Sequence, residues 1–406
     1  MNNGTPSARL SATAAPVIAA TLPVVGAAID EITPLFYRRL FTAHPELERD
    51  LFNRGNQALG TQQRALAASI AAYATLLLNE DGPEPIAVLS RIAHKHASLG
   101  VLAEHYPIVH EHLFAAIVDV LGEAVTPEVA AAWDEVYWHM ANSLITLEKG
   151  LYAGAGVAPG QVWRDVVVSD RAQLTPSTVS FTLTAADGEP LPAGQPGQYI
   201  SVGVRLPDGA RQIRQYSLTD TTTSGAWTIA VKAIDEGQPG EVSTFLHTDV
   251  FEGDTVTASL PFGDATLIEG TTPVVLVSAG VGLTPMVSHL RHLRAAGSER
   301  EVLVIHADRG AQHHAHRSEV KELVAGLPGA RLERFYEVLG TQPETSDVHL
   351  GRIDLRSVTL PADADVYLCG PAPFMASTIS QLGARGVDAT RIHLEVFGPG
   401  LEVVPA

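Results

Sequence analysis

The chain changes its hydrophobic period twice. Up to about residue 152, apolar positions recur at steps of three and four, the period of helices that bury one face. Ile18, Leu22, Val25, Ile29, Ile32 and Phe36 form one unbroken stripe. Val88, Ile92, His96 and Leu99 form a second, and Tyr137, Ala141, Leu144, Glu148 and Leu151 a third. Breaks rich in turn and cap residues fall at HPELERD, NEDGPEP and GEAVTPEV. The Gly-rich GLYAGAGVAPGQVW, residues 150–163, reads as a linker. Beyond it the period is two. VSFTLTA, GQYISVGVRL, IRQYSLTD, WTIAVKAI and DTVTASLP are short strand-like runs between turn signals, the pattern of an antiparallel barrel or sandwich. From about 270 the runs PVVLVSAG, EVLVIHAD and DVYLCGP are continuously apolar and alternate with helical segments such as EVKELVAGL and APFMASTISQLGA. That is the pattern of a parallel sheet covered on both faces. The expectation is an all-α domain over 12–152, an antiparallel β-barrel over 160–266 and an α/β domain over 270–406.

Bulk properties narrow the class. A chain of 406 residues exceeds what one core organises. A net charge of −18 opposes a phosphate backbone and an anionic membrane surface. The single Cys369 excludes an internal disulfide and fits a reducing compartment. Residues 12–29 are nearly uncharged, but only Arg9 precedes them and Pro16 and Pro23 interrupt them, so they read as packed helix behind a disordered tail over 1–11 rather than as a signal peptide.

Three pieces carry candidate chemistry. In PVVLVSAGVGLTPM (273–286), Gly280 and Gly282 sit in a strand–turn–helix context, where they permit a tight turn and close ligand approach, and Pro285 suits the helix start. In RQYSL (214–218), Arg214 suits a phosphate, Tyr216 on the same strand face suits a flat ring, and Ser217 adds a hydroxyl. His96 lies on a helix face that should be buried and His94 does not. A lone histidine there is ordinarily a core imidazole bonded to a neighbour. Glu148 shares an apolar face, which is costly for a carboxylate unless it is paired.

Over 160–400 these motifs, with PGQYI, GEVSTFLH, YLCGP (367–371) and EVFGPG (395–400), resemble the ferredoxin–NADP reductase-like superfamily. The resemblance implies FAD on the barrel, contacted by Tyr199, Arg214, Gln215, Tyr216 and Ser217 and by Glu395, Val396, Phe397, Gly398 and Pro399. It implies NADH or NADPH on the α/β domain, its pyrophosphate at Gly280, Val281, Gly282, Leu283, Thr284 and Pro285. The helical half resembles a globin on FYRRLFTAHPEL (36–47), GTQQRAL (60–66) and RIAHKHASLGVLAEHYPIVHEHL (91–113), and nearly the whole chain is similar to the flavohaemoglobins.

That resemblance makes His96 the axial ligand of haem b, with Lys95 tuning its potential and His94 at the surface. Tyr106 and Glu148 would support the proximal imidazole. Tyr37 and Gln62 would stabilise the distal ligand, Leu66 would form an apolar wall, and Phe52 would pack on the haem. Two departures stand out: ELERDLF is one residue longer than the family pattern, and Val396 stands where many members carry Cys. The implied activity is nitric oxide dioxygenation, NO and O2 going to nitrate with electrons from NAD(P)H through FAD to haem, in the cytoplasm. No obligate protein partner is implied, and a monomer is left open. Two other readings fit parts of the chain, an oxygen-binding or sensing haem protein and a reductase of alkyl hydroperoxides or ferric haem. In HADRG, Asp308 suits a ribose hydroxyl and Arg309 a 2′-phosphate, with the lean toward NADH.

Overall fold

The computed structural model describes residues 9–79, 88–234, 239–341 and 343–398. Pro399 and the NEDGPEP break from residue 80 onward lie outside them. Contacts group the chain into two compact units, residues up to Trp163 with 207–213, and the remainder.

The first unit is helical: α1 (Ala14–Ala43), α2 (Pro45–Asp50), α3 (Arg54–Ala58), α4 (Thr61–Leu78), α5 (Ser90–Leu99), α6 (His105–Leu121) and α7 (Pro127–Gly154). α1 follows its sequence stripe. Ile18, Val25, Ile32 and Phe36 are fully buried, and Leu22 and Ile29 pack on the edge of the same core. Pro23 and Pro34 lie inside α1 but on its exposed side, so the carbonyls they leave unbonded can face water. By length and composition α1 alone among the described helices is apolar enough to cross a membrane. Here its buried stripe packs against α4, α6 and α7. The tail expected over 1–11 is structured at its end. Leu10 packs on the core, and the Ser11 hydroxyl donates to Glu135 Oε2 (2.8 Å) and accepts from Ala14 N (3.1 Å). α7 starts where GEAVTPEV predicts, with Thr126 accepting from Val129 N and Pro127 in the first turn.

Of the stripe expected on α5, Ile92, His96 and Leu99 are half-buried and Val88 is exposed, while Ala93, Ala97 and Ser98 on the same helix are buried. Small alanines face the core because α5 packs directly on α7, and short side chains allow a close helix approach. His94, expected at the surface, is half-buried.

The second unit opens with a closed six-stranded barrel: β1 (Trp163–Thr175), β2 (Thr178–Ala185), β3 (Tyr199–Arg205), β4 (Arg211–Asp220), β5 (Ala226–Lys232) and β6 (Thr255–Ser259) in the order β1-β2-β5-β4-β3-β6, with α8 (Glu241–Thr248) before β6. The alternation in VSFTLTA and WTIAVK predicts β2 and β5, which pair antiparallel from Thr178–Lys232 to Thr184–Ala226. β1 escapes that reading because two register shifts break its alternation.

A parallel sheet follows in the order β10-β9-β8-β7-β11-β12. Its strands are β7 (Val274–Ala279), β8 (Val302–Asp308), β9 (Arg331–Tyr336), β10 (Val348–Leu350), β11 (Asp365–Cys369) and β12 (Ile392–Glu395), joined in part by α9 (Thr284–Ala295), α10 (Arg317–Ala325) and α11 (Ala372–Ala384). The apolar runs β7, β8 and β11 fill the centre. Alternate residues feed two cores: Leu276 and Val304 lie with Val287 and Leu290 on one face, Val277 and Ile305 with Met375 and Leu382 on the other. β10 and β12 are the edges, too short or too half-buried to announce themselves. β9 begins with half-buried polar residues. Arg291 braces this unit, pairing with Asp220 (3.2 Å) at the end of β4 and with Glu319 (2.5 Å) on α10.

Gly282 is small for a reason other than the expected ligand approach. A Cβ there would lie 2.5 Å from Cys369 O and 2.9 Å from Gly370 N, both backbone atoms at the end of β11. Gly282→Ala should therefore destabilise the second unit by about 1–3 kcal/mol, the usual cost of overpacking. The check is a lowered unfolding midpoint for the second unit; an unchanged midpoint would show that β11 yields freely.

Candidate functional site

The helical unit brings one histidine, one carboxylate and one phenol together. His96, one turn from the end of α5, turns Nδ1 toward Glu148 Oε1 of α7 at 2.8 Å, and the Tyr106 hydroxyl of α6 lies 3.1 Å from the same nitrogen. The Tyr106 hydroxyl donates to Glu148 Oε1 at 2.5 Å. Glu148 is only 2% exposed. Burial first, and then the adjacent carboxylate charge, push the Tyr106 phenol far above its ordinary value, so it remains a donor. With the carboxylate accepting from both, the imidazole proton belongs on Nδ1 and the lone pair on Nε2, at the opposite ring edge. This is the arrangement a metal-ligating histidine uses. Tyr137 donates to Tyr106 O (2.6 Å) and Tyr152 to Val101 O (2.7 Å), fixing the start of α6 and the segment after α5. Lys95 precedes His96 and is half-buried.

Tyr37, 4% exposed on α1, anchors a second cluster. Its ring lies 4.6 Å from Phe36, 5.6 Å from Phe41 and 5.8 Å edge-on to Phe52, so the extra residue in ELERDLF still leaves Phe52 in this aromatic group. Burial pushes the Tyr37 hydroxyl up, partly offset by the amides of Gln62 and Gln57 beside it. Leu66, one turn beyond Gln62 on α4, packs on the same core. The sequence reading missed Gln57 and its neighbour Gln63. Gln57 lies near the end of the short α3 and Gln63 follows Gln62 in the first turn of α4; the glutamine-rich GNQALGTQQ was their only shared signal.

In the second unit, Tyr199 opens β3, and Arg214, Gln215, Tyr216 and Ser217 lie in sequence on β4. Gln215 Nε2 donates to Ser201 Oγ of β3 (3.0 Å), which ties it to the barrel wall. The Ser217 hydroxyl is buried with no hydrogen-bond partner among the described residues, an orphan that a bound group with polar oxygens would satisfy. Burial raises the Tyr216 phenol and the Arg214 charge opposes it. Glu395 ends β12 opposite Cys369, Val396 packs on the sheet core, and Phe397 is exposed beyond it.

The turn after β7 is a 3-10 segment, Gly280–Leu283, running straight into α9 with Pro285 in the first helical turn. Thr284 Oγ1 donates back to Val281 O (3.0 Å). Gly280 holds φ 54°, and the space where its Cβ would lie is open except for Lys232 Nζ at 4.0 Å. Lys232, at the end of β5, is a further residue the sequence did not single out, since an alternating strand lysine looks like any solvated one. Asp308 ends β8. Burial pushes its carboxyl up, but the His306 ring, the Arg309 amide and the Lys232 charge overcome this and hold it below its usual value.

The globin family model matches residues 35–144, and the oxidoreductase NAD-binding domain model matches 276–380. The chain is 42% identical over 397 residues to the flavohemoprotein of Rhizobium meliloti, covering 95% of this chain and 97% of that protein. It is 44% identical over 395 residues to the flavohemoprotein of Bordetella pertussis, with the same coverage. Among solved structures, the flavohemoglobin of Malassezia yamatoensis with bound FAD and heme matches with a TM-score of 0.88 at 38% identity, covering 96% of this chain and all of that one. The FAD/NAD-binding domain of a nitric oxide dioxygenase from Vibrio cholerae matches 59% of this chain and all of its own, at 38% identity and a TM-score of 0.55. A helical unit built around a clamped histidine, followed by a barrel and a parallel nucleotide-type sheet, is thus matched end to end, and the chain belongs to the flavohemoprotein family.

Proposed function

We propose that this chain is an NAD(P)H-dependent nitric oxide dioxygenase that uses haem b and FAD to convert NO and O2 to nitrate. It is read as a globin domain over 12–152, an FAD barrel over 160–266 and a nucleotide domain over 270–406. The observation that carries the reading is the buried Glu148 carboxylate 2.8 Å from His96 Nδ1, on a chain that also folds a complete reductase module. When bound, haem supplies the iron at which dioxygen and NO meet, and FAD divides each hydride into single electrons. Each NAD(P)H serves two molecules of NO and two of O2, giving two nitrates and one proton.

The chain's own residues do the rest. His96 offers Nε2 to the iron, and the Glu148 charge raises the basicity of the ring, which favours activating dioxygen over storing it. Tyr106 keeps that carboxylate in place, and Lys95 adds a positive charge nearby. Tyr37 and Gln62 would hydrogen-bond a ligand bound there, and Leu66 and Phe52 would exclude water. On the barrel, Arg214 and the Ser217 hydroxyl take phosphate or hydroxyl oxygens of FAD, Tyr199 and Tyr216 flank its rings, and Gln215 braces the wall. Glu395, Val396, Phe397 and Gly398, at and just beyond the end of β12, would contact the flavin. The residues Gly280, Val281, Gly282, Leu283, Thr284 and Pro285, with the Lys232 ammonium, hold the nucleotide pyrophosphate. An oxygen store or sensor would not need this module, because storage consumes no pyridine nucleotide. The cytoplasm, where NAD(P)H is regenerated, is the compartment this reading implies.

Three measurements test the reading. The holoprotein should consume O2 and NAD(P)H in step with added NO and release nitrate; nucleotide oxidation indifferent to NO would favour the reductase alternative. Glu148→Gln keeps the shape and removes the charge. It should retain haem, lower the Fe–His stretching frequency, raise the midpoint potential and slow NO turnover. A wild-type frequency in that variant would remove the electronic role assigned to Glu148. The ionised Asp308 at the end of β8 should repel a 2′-phosphate and accept from a ribose hydroxyl. Hence kcat/KM should be higher with NADH than with NADPH, and Asp308→Ala should narrow the gap. A preference for NADPH in the unmodified protein would reverse the assignment.

A further inference from the structure

Across the end of α3 and the start of α4, three glutamines lie within six residues of one another, and two of them fix each other's orientation. Gln63 Nε2 donates to the backbone carbonyl of Gln57 at 3.3 Å and to the Gln57 side-chain oxygen at 3.0 Å. A backbone carbonyl can only accept, so it decides which end of the Gln63 amide faces it. That in turn requires an acceptor, Oε1, on the facing end of the Gln57 amide. Gln57 Nε2 is therefore left at the other end. It is buried and has no hydrogen-bond partner among the described residues. Gln57 also lies beside the Tyr37 hydroxyl, close enough to favour the phenolate. A buried amide nitrogen with no acceptor costs about 1–3 kcal/mol, and structures rarely keep one without a use.

We propose that Gln57 is a third ligand-positioning residue of the distal pocket, its amide nitrogen held by Gln63 to donate a hydrogen bond to a small anionic or polarised ligand beside Tyr37. The ligand class is one with an exposed lone pair and partial or full negative charge, such as dioxygen drawing electron density from the iron, a halide or nitrate. An amide suits this task differently from a phenol. It cannot ionise, so it gives no proton to the ligand and lends direction without acid chemistry. Gln63 acts through Gln57 and touches no ligand itself. The proposal rests on the haem reading above.

Fluoride binding to the ferric holoprotein tests it, because fluoride accepts hydrogen bonds and is followed by its absorption spectrum. Gln57→Leu should weaken fluoride about tenfold or more, the worth of a hydrogen bond to a charged acceptor, with haem content unchanged. Gln57→Glu, nearly isosteric, should weaken it further by replacing a donor with a negative charge. Gln63→Leu should weaken it less, because it loosens the clamp and leaves the donor. Tyr37→Phe is the parallel control. Should Tyr37→Phe weaken fluoride while both Gln57 variants stay within twofold of the unmodified protein, Gln57 is not a ligand donor and the proposal fails alone. Should Tyr37→Phe also leave fluoride unchanged, the distal assignment itself fails and takes the proposal with it. Loss of haem in Gln57→Leu, with normal haem and fluoride affinity in Gln57→Glu, likewise overturns it.

Discussion

The helical unit depends on a buried carboxylate that has no charged partner. Glu148 sits in an apolar helix interface, where an isolated negative charge would cost several kcal/mol or would simply take up a proton. It is tolerated because two donors from two other helices meet on one of its oxygens. The relation is mutual. The carboxylate fixes the Nδ1–H tautomer of His96, holds the Tyr106 hydroxyl as a donor, and joins α5, α6 and α7 at one point. The alanines of α5 follow from this, since bulkier side chains at Ala93 or Ala97 would push the helix away from α7 and lengthen a 2.8 Å bond.

The two sides of the pocket assigned to haem are built from different chemistry. Behind His96 lies the Glu148 carboxylate, which reaches the site only through the imidazole. Beside Tyr37 there are a phenol and amides, neutral donors set in aromatic surroundings. Burial keeps the Tyr37 hydroxyl protonated, so this side offers hydrogen bonds without a counter-charge.

What could be read from the sequence follows from how each element is buried. α1 is covered along one side, so its stripe was plain. The central strands β7, β8 and β11 are covered on both faces and were plain as apolar runs. On α5 the buried Ala93 and Ala97 escaped notice, because alanine carries little hydrophobic signal while Ile92 and Leu99 carry much. β1 was hidden by its bulges and β10 by its length of three residues. At the site, periodicity could flag His96 and Glu148 as unusual but could not join them, since 52 residues separate them. Only family resemblance named Tyr106 and Tyr37. Gln57, Gln63 and Lys232 were legible in neither way. Their significance lies in which atoms are left without partners or placed beside a turn, and that is a property of the folded chain.

The nucleotide side shows the same dependence on tertiary placement. A turn of Gly-x-Gly type before a helix offers backbone amides to an anion, yet its two glycines serve different ends. Gly280 takes a left-handed conformation and leaves open space beside the Lys232 ammonium, whereas Gly282 is small because the β11 backbone lies against it. One glycine makes room for a ligand and the other for the protein. The Lys232 charge acts in two directions as well. It sits over the turn where a pyrophosphate would lie, and it helps keep Asp308 ionised at the end of the neighbouring strand. A single cation from the barrel therefore favours phosphate at one point and sustains a carboxylate at another. Removing it would take a cation from beside the turn, while the His306 ring, a larger influence on Asp308, would still hold that carboxyl down.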